Sequence, residues 1–220
     1  MTNRVTGIIL AGGASRRMGR NKALLDWGGI PMIASIVQRL RTVADEIIIA
    51  ANDKSLYAPF ADRCVEDVFQ NVGTLAGIHA GLKAAAHEVT LVVGCDMPFL
   101  NPAVLEWFVQ ASQNVDVVVL QRAGQLEPLH AVYRTSCLAV IEEAILAGER
   151  IAYSFYDRVR TRYVDPAEID HLDPTLCSFR NVNTPEEWNR AVEWHYHDLK
   201  IPGTPPRPQN PVDDRGPRGE

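Results

Sequence analysis

Val5-Thr6-Gly7-Ile8-Ile9-Leu10-Ala11-Gly12-Gly13-Ala14-Ser15-Arg16-Arg17-Met18-Gly19-Arg20-Asn21-Lys22 opens as an apolar, β-branched run and stops abruptly in small residues. Such a run suits a strand buried on both faces that enters a tight loop. Glycine lets backbone N–H groups approach a phosphate closely, and the carboxyl end of a parallel strand is where α/β sheets bind ligands. Between Leu10 and Lys22 stand three glycines, three arginines and one lysine, with no acid before Asp26. Arginine forks and a lysine point charge neutralise a polyanion. The spacing is neither GxGxxG nor GxxxxGK[ST], since Gly19 is followed by Arg20, so neither a dinucleotide fold nor a P-loop NTPase is indicated. The rival reading is a solvated basic turn, but a loop running on to about Gly29 normally has a functional reason.

Outward from this stretch the pattern alternates. From Pro31 the apolar positions Ile33, Ile36, Val37, Leu40 and Val43 lie on one helical face. Glu46 to Ala51 reads as a strand, Cys64 to Glu66 as a short one, Leu75 to Ala86 as a helix, and Val89 to Gly94 as another buried strand. Asn101-Pro102 supplies an N-cap and a first-turn proline for the next helix. Val115 to Leu120 is a strand, His130 to Arg134 a further one beyond a polar stretch containing Gly124, and Ser136 to Ala147 a helix. Thr184-Pro185-Glu186-Glu187 has the form of a capping box that opens a last helix to about His197. The expectation is α/β, a mostly parallel central sheet with helices on both faces.

The length of 220 residues suits one sizeable domain, and after Leu199 the composition turns to Pro, Gly, Arg and Asp, which predicts a disordered tail over 199–220. A net charge of −5 gives no general attraction to nucleic acid or to a membrane surface, and no run approaches the roughly 20 apolar residues of a membrane span. The cytoplasm is the expected compartment. Cys64, Cys95, Cys137 and Cys177 stand singly, without a CxxC pair, and are expected to pack as buried free thiols.

Transfer of a nucleotidyl group needs a divalent metal and hence a carboxylate at a neighbouring strand end. Asp96 fits, because it follows Leu91-Val92-Val93 and precedes Met97-Pro98. Asp67, closing the short strand before Asn71-Val72-Gly73, is a second candidate. Nothing near Cys95 in sequence would lower its pKa, so packing is the expected role. Trp188 and Trp194 read as packing residues of the last helix, and His195 and His197 as surface residues.

The residues quoted so far carry a resemblance. Leu10-Ala11-Gly12-Gly13 with Ser15, Arg17, Met18, Gly19 and Lys22, then Leu24-Leu25, Gly29 with Pro31, Glu66-Asp67, Leu75-Ala76-Gly77-Ile78, Cys95 to Leu100, Glu127-Pro128-Leu129 and Asn181 to Pro185 resemble the molybdenum cofactor guanylyltransferase family, in order, over nearly all of residues 5 to 190. The resemblance implies a three-layer α/β/α fold of the nucleotide-diphospho-sugar transferase type over residues 1–198. It also implies an enzyme that joins GMP from GTP to molybdopterin with loss of pyrophosphate. Carried over by position, Leu10, Ala11, Gly12 and Gly13 would hold the guanine nucleotide, Lys22 would meet the phosphates, Asp67 would contact the nucleotide, and Asp96 would bind it and carry Mg²⁺; Arg17 is the third catalytic candidate, with the choice among Arg16, Arg17 and Arg20 for phosphate contact left open. Some members have Asn where this chain has Ala50, and Asn52 lies close by as the substitute contact; Thr74 stands where members often have Pro. Roles for Asn181 or Asn183 near the acceptor, and partners among cofactor delivery and acceptor proteins, follow from the resemblance alone.

A phosphate monoester with a second pKa of about 6 is largely an oxyanion at neutral pH and needs no general base. The chemistry then reduces to positioning and charge neutralisation, which suits many cations and one metal carboxylate. Two alternatives stay open on the sequence: cytidylyl or sugar-phosphate nucleotidyl transfer, and a catalytically silent nucleotide-binding module.

Overall fold

Strands whose two faces are both buried must alternate between two cores, and the chain does this throughout. In the computed structural model residues 4–12 and 21–198 are described, with side chains as far as residue 194. Along the chain come β1 (Val5–Leu10), α1 (Met32–Leu40), β2 (Glu46–Ala50), α2 (Lys54–Tyr57), β3 (Arg63–Val65), α3 (Thr74–Ala84), β4 (Val89–Gly94), α4 (Pro102–Ala111), β5 (Val117–Arg122), β6 (Gln125–Arg134), α5 (Leu138–Leu146), β7 (Thr161–Val164), α6 (Pro166–Ile169) and α7 (Pro185–Asp198). The described strands form one seven-stranded sheet in the order β3-β2-β1-β4-β6-β5-β7.

Ile9, Ile47, Ile49, Leu91, Val93, Val118 and Val132 face one core, with Ile33, Ile36 and Leu40 of α1 and Val104, Leu105 and Phe108 of α4. Ile8, Ile48, Val92, Val117, Val119, Ala131 and Tyr133 face the other, with Leu75, Ile78 and Leu82 of α3 and Ile141, Ala144 and Ile145 of α5. Neighbouring residues of one strand thus enter opposite layers, as the two-residue repeat of a strand requires. The result is a three-layer α/β/α fold. A Cβ at Gly81 would lie 2.5 Å from Ile8 Cγ2, so α3 sits closer on β1 than any other residue there would permit.

All pairings are parallel except those of β6, which runs antiparallel to both β4 and β5. The two-residue turn Ala123-Gly124, with φ of 48° and 78°, reverses the chain between β5 and β6. Both central residues are in the left-handed region that a tight hairpin demands. β6 therefore starts at Gln125, five residues ahead of the expected His130, and the edge strand β7 and the one-turn helices α2 and α6 are additions to the expected elements. Of the four cysteines only Cys137 is buried; Cys64, Cys95 and Cys177 are half-buried, contrary to the expectation for all four, and all four are free thiols. The Thr184 box forms as expected: the Glu187 amide donates to Thr184 Oγ1 at 3.2 Å, and Glu187 Oε2 accepts from the Thr184 amide at 3.2 Å. The segment 199–220 lies outside the described residues. No described helix is long and apolar enough to cross a membrane.

Candidate nucleotide site at the carboxyl ends of the central strands

β1 and β4 are hydrogen-bonded neighbours, with Leu10 in register with Gly94. Their carboxyl ends therefore open side by side. The Leu10 carbonyl accepts from the Cys95 amide at 3.1 Å, and the Ala50 carbonyl from the Ala11 amide at 2.8 Å, which extends each ladder of β1 by one residue into the turns. Asp96 follows. A Cβ at Gly94 would fall 2.5 Å from Asp96 Oδ1, so the glycine leaves room for the carboxylate to fold back over the strand end.

Lys22 reaches this carboxylate from a separate element. Asn21 caps the short 3₁₀ turn Lys22–Leu24 by accepting from the Ala23 amide at 3.1 Å, and its Nδ2 donates to Tyr57 Oη at 2.9 Å. The turn is anchored further by the bridge between Asp26 and Pro31 and by Trp27, whose buried ring meets Phe99 and Trp188 edge-on at 5.4 and 5.6 Å. Held so, Lys22 Nζ lies 2.6 Å from Asp96 Oδ2, 3.0 Å from Asn183 Oδ1 and 3.4 Å from the Val182 carbonyl. An ammonium has three donors, and these acceptors take all of them. The pair is largely shielded, with side-chain exposures of 14% for Lys22 and 18% for Asp96. The Val182 amide donates back to the Asp96 carbonyl at 2.9 Å, so the 182–183 strap is bound to both partners.

The other expected residues follow at the carboxyl ends of β1, β2 and β3. Leu10 is half-buried, Ala11 buried and Gly12 exposed, and a Cβ at Gly12 would meet nothing within 4 Å. Asn52 is exposed just past β2. Asp67 follows β3 and is half-buried; a Cβ on Gly77 of α3 would lie 3.4 Å from Leu10 Cδ2 and 3.7 Å from Asp67 Oδ1. Leu10, Asp67 and Gly77 thus converge where α3 starts. Burial raises the Asp67 carboxyl above its ordinary range. Gly13 and Arg17, with Arg16 and Arg20, lie outside the described residues, as do the side chains of His195 and His197. Cys95 is chemically quiet: burial, reinforced by the Asp96 charge, pushes its thiol up to about 12.

Sequence reasoning did not foresee the cap at Asn21, the steric role of Gly94 or the Lys22 bond to Asn183. The first had a signal, because an Asn before a short turn is a common cap. The last had none, since the two residues are 161 positions apart.

The donor set suits Mg²⁺. Asp96 offers a hard carboxylate oxygen, and among the described residues no group of three or more His, Cys, Asp or Glu side chains could hold a metal. Mg²⁺ is ordinarily bound through one or two carboxylates and the substrate's phosphates, with water completing the shell, so a single strand-end aspartate is enough protein.

The MobA-like NTP transferase domain profile matches residues 7–163. Among named proteins, the chain is 40% identical over 189 residues to the molybdenum cofactor guanylyltransferase of Desulfosudis oleivorans, covering 85% of this chain and 94% of that protein. It is 40% identical over 186 residues to the probable molybdenum cofactor guanylyltransferase of Pelotomaculum thermopropionicum, covering 84% and 91%. The crystal structure of molybdopterin-guanine dinucleotide biosynthesis protein A from Archaeoglobus fulgidus superposes with a TM-score of 0.76 at 28% identity, over 87% of this chain and 99% of that one.

Proposed function

The chain belongs to the MobA-like NTP transferases, and within them to the molybdenum cofactor guanylyltransferase family; from that premise we propose that it transfers GMP from GTP to the terminal phosphate of molybdopterin and releases pyrophosphate. The observation that carries the reading is the shielded contact between Lys22 and Asp96 at the joint carboxyl ends of β1 and β4.

Arriving GTP meets a cation and an anion already matched to each other at Lys22 and Asp96. Asp96 would hold a divalent cation brought by the nucleotide, and the Lys22 ammonium, released from the carboxylate, would turn to the phosphates. Mg²⁺, when bound, supplies charge neutralisation at the phosphate oxygens. Asn183 and the Val182 carbonyl keep Lys22 in place during the exchange, since both remain acceptors. Leu10, Ala11, Gly12 and Gly13 hold the nucleotide through the main chain, with Asn52 and Asp67 beside it and Arg17 on the phosphates.

An oxygen of the acceptor phosphate attacks the α-phosphorus of GTP in line. The new phosphorus–oxygen bond forms as the bond to the β-phosphate bridging oxygen breaks, and pyrophosphate leaves with the electron pair. The attacking group is already an oxyanion, so no proton must be removed by the protein. Lys22 stabilises the charge that grows on the leaving oxygens.

Residues 1–198 form the catalytic domain, and a chain ending after Leu199 is expected to turn over unchanged. GTP supply places the reaction in the cytoplasm, and the dinucleotide product passes to cofactor delivery and acceptor proteins. Pyrophosphate release with molybdopterin and GTP, against CTP and ATP, tests the reading. Turnover that is magnesium-dependent and confined to GTP is expected; a preference for CTP, or no pterin-dependent release, overturns it.

A further inference from the structure

The Glu127-Pro128-Leu129 segment is held in an unusual way. Between the pairs Val119↔Ala131 and Gln121↔Leu126, β5 has the single residue Leu120, whereas β6 has the four residues from Glu127 to His130. On the other side, pairing of β6 with β4 ends at Val93↔His130. Glu127, Pro128 and Leu129 are thus outside both ladders, as a large bulge. Proline fits here because it has no N–H to leave unpaired. Bulges of this kind commonly stand next to active sites and re-aim a side chain. The position agrees: Asp96 and Glu127 each lie three residues beyond the pair Val93↔His130, on adjoining strands.

The bulge is braced from the core. Tyr133 Oη donates to the Pro128 carbonyl at 2.9 Å and lies 2.6 Å from Tyr156 Oη, and both tyrosines are buried. One buried phenol on the bulge carbonyl, itself hydrogen-bonded to a second, fixes a backbone that no ladder fixes.

The Glu127 residue is half-buried, and its carboxylate makes no hydrogen bond or ion pair among the described residues. Burial raises its carboxyl, with Arg122 as the opposing charged neighbour. A carboxylate kept partly from water without a donor is costly, unless a ligand brings the donors. The sheet order says which ligand. Leu10, Asn52 and Asp67 belong to the ends of β1, β2 and β3, on one side of β4, and Glu127 belongs to β6, on the other. With the donor nucleotide on the β1–β3 side, the β6 side faces the acceptor.

We infer that Glu127 is the acceptor-specificity residue, its two oxygens accepting the adjacent 2-amino and ring N–H donors of a 2-amino-4-oxopyrimidine ring, the pterin of the acceptor, with Tyr133 and Tyr156 as positioning residues for the bulge that carries it. Two parallel donors facing two carboxylate oxygens give a directional pair. This rests on the pterin acceptor of the proposed function.

The test pairs kinetics with binding. In Glu127→Gln the KM for molybdopterin is expected to rise about tenfold or more, with kcat and the KM for GTP within about twofold, because a charge-assisted acceptor pair is replaced by a mismatched amide. Fluorescence titration with 6-hydroxymethylpterin monophosphate and its 2-oxo lumazine counterpart supplies the second arm. The native enzyme is expected to bind the lumazine at least about tenfold more weakly, and Glu127→Gln to bind the two alike. Tyr133→Phe is expected to shift the molybdopterin KM in the same direction by less, with the GTP KM unmoved. An unchanged molybdopterin KM in Glu127→Gln, a lumazine penalty that persists in that variant, or a loss that falls on GTP instead overturns the inference. Absence of any pterin-dependent turnover in the native enzyme overturns the proposed function instead, and the titrations still decide the role of Glu127.

Discussion

The two rims of the one sheet carry carboxylates in opposite conditions. At the amino rim Glu46, Asp62 and Asp116 each hold an arginine and a backbone amide: Arg63 with Ala86, Arg41 with Ile47, and Arg160 through both its side chain and its own amide. Arg41 holds the Asp62 carboxyl below its ordinary range, and Arg160 does the same for Asp116. For Glu46 burial pushes upward, but the Ala86 amide, the Thr6 hydroxyl and Arg63 outweigh it and the net shift is down. At the carboxyl rim Asp67 and Glu127 are raised by burial and have no such partners among the described residues. The amino rim is finished within the chain; at the carboxyl rim Asp96 is matched by Lys22, while Asp67 and Glu127 stand ready for something the chain does not contain. A salt bridge at the first therefore reports on stability, and a carboxylate at the second on ligands.

The strongest way to break this contrast is Asp96→Ala. GMP transfer is expected to fall by roughly 10³-fold or more, on the scale of losing one electrostatic group in a preorganised site. The melting temperature should move little, because Asn183 and Val182 still accept from Lys22; turnover within tenfold of native would end the distinction. Gly94→Ala probes the same carboxylate without deleting it. Its methyl would stand 2.5 Å from Asp96 Oδ1, and a displacement of that carboxylate is expected to cost about 10²-fold in kcat/KM.

Acidification sharpens the comparison, since the signs of the shifts differ. A carboxyl raised in the folded state favours the fold more as it protonates, so Asp67 and Glu127 take up protons early in a descent of pH without loosening the structure. Carboxyls lowered in the folded state contribute stability above their unfolded pKa and lose it only as pH falls through the lower folded value. Turnover should accordingly decline at a higher pH than the midpoint of acid unfolding, measured by circular dichroism on the same samples. Coincident curves would contradict the division of the rims.

The smallest effect is expected at the finished rim. Asp116→Ala removes the fork to Arg160 and the bond from its amide, and should lower the melting temperature by roughly 2–4 °C. Its kcat/KM for GTP should stay within twofold of native, and a tenfold loss would show that this rim is not purely structural.

Much of this architecture could be read before any coordinates. β1 and β4 announced themselves because strands buried on both faces are written as unbroken apolar runs, and Asn101 and Thr184 because caps are local chemistry. β7 escaped notice because Thr161–Val164 is a four-residue edge strand with only Val164 buried. The reversal into β6 was hidden because Ala123-Gly124 lacks the Asn-Gly or Asp-Gly signature of a tight hairpin. Of the site, the glycines after β1 and the carboxylate after β4 were legible from residue type and position. Their meeting was not: Lys22 and Asp96 are 74 residues apart, and hydrophobic patterning places strands without saying which loops touch. Resemblance put both in one pocket, and the coordinates supplied the contact and the strap at 182–183.

That strap fastens the two far reaches of the chain at one ammonium, since Lys22 lies on the first connection and Asn183 just ahead of α7. On the ribosome the first connection emerges long before residue 183 is synthesised, so a nascent chain that has built β1 to β4 holds Lys22 through Asp96 alone. The full set of acceptors around Lys22 is therefore assembled only after residue 183 has been added.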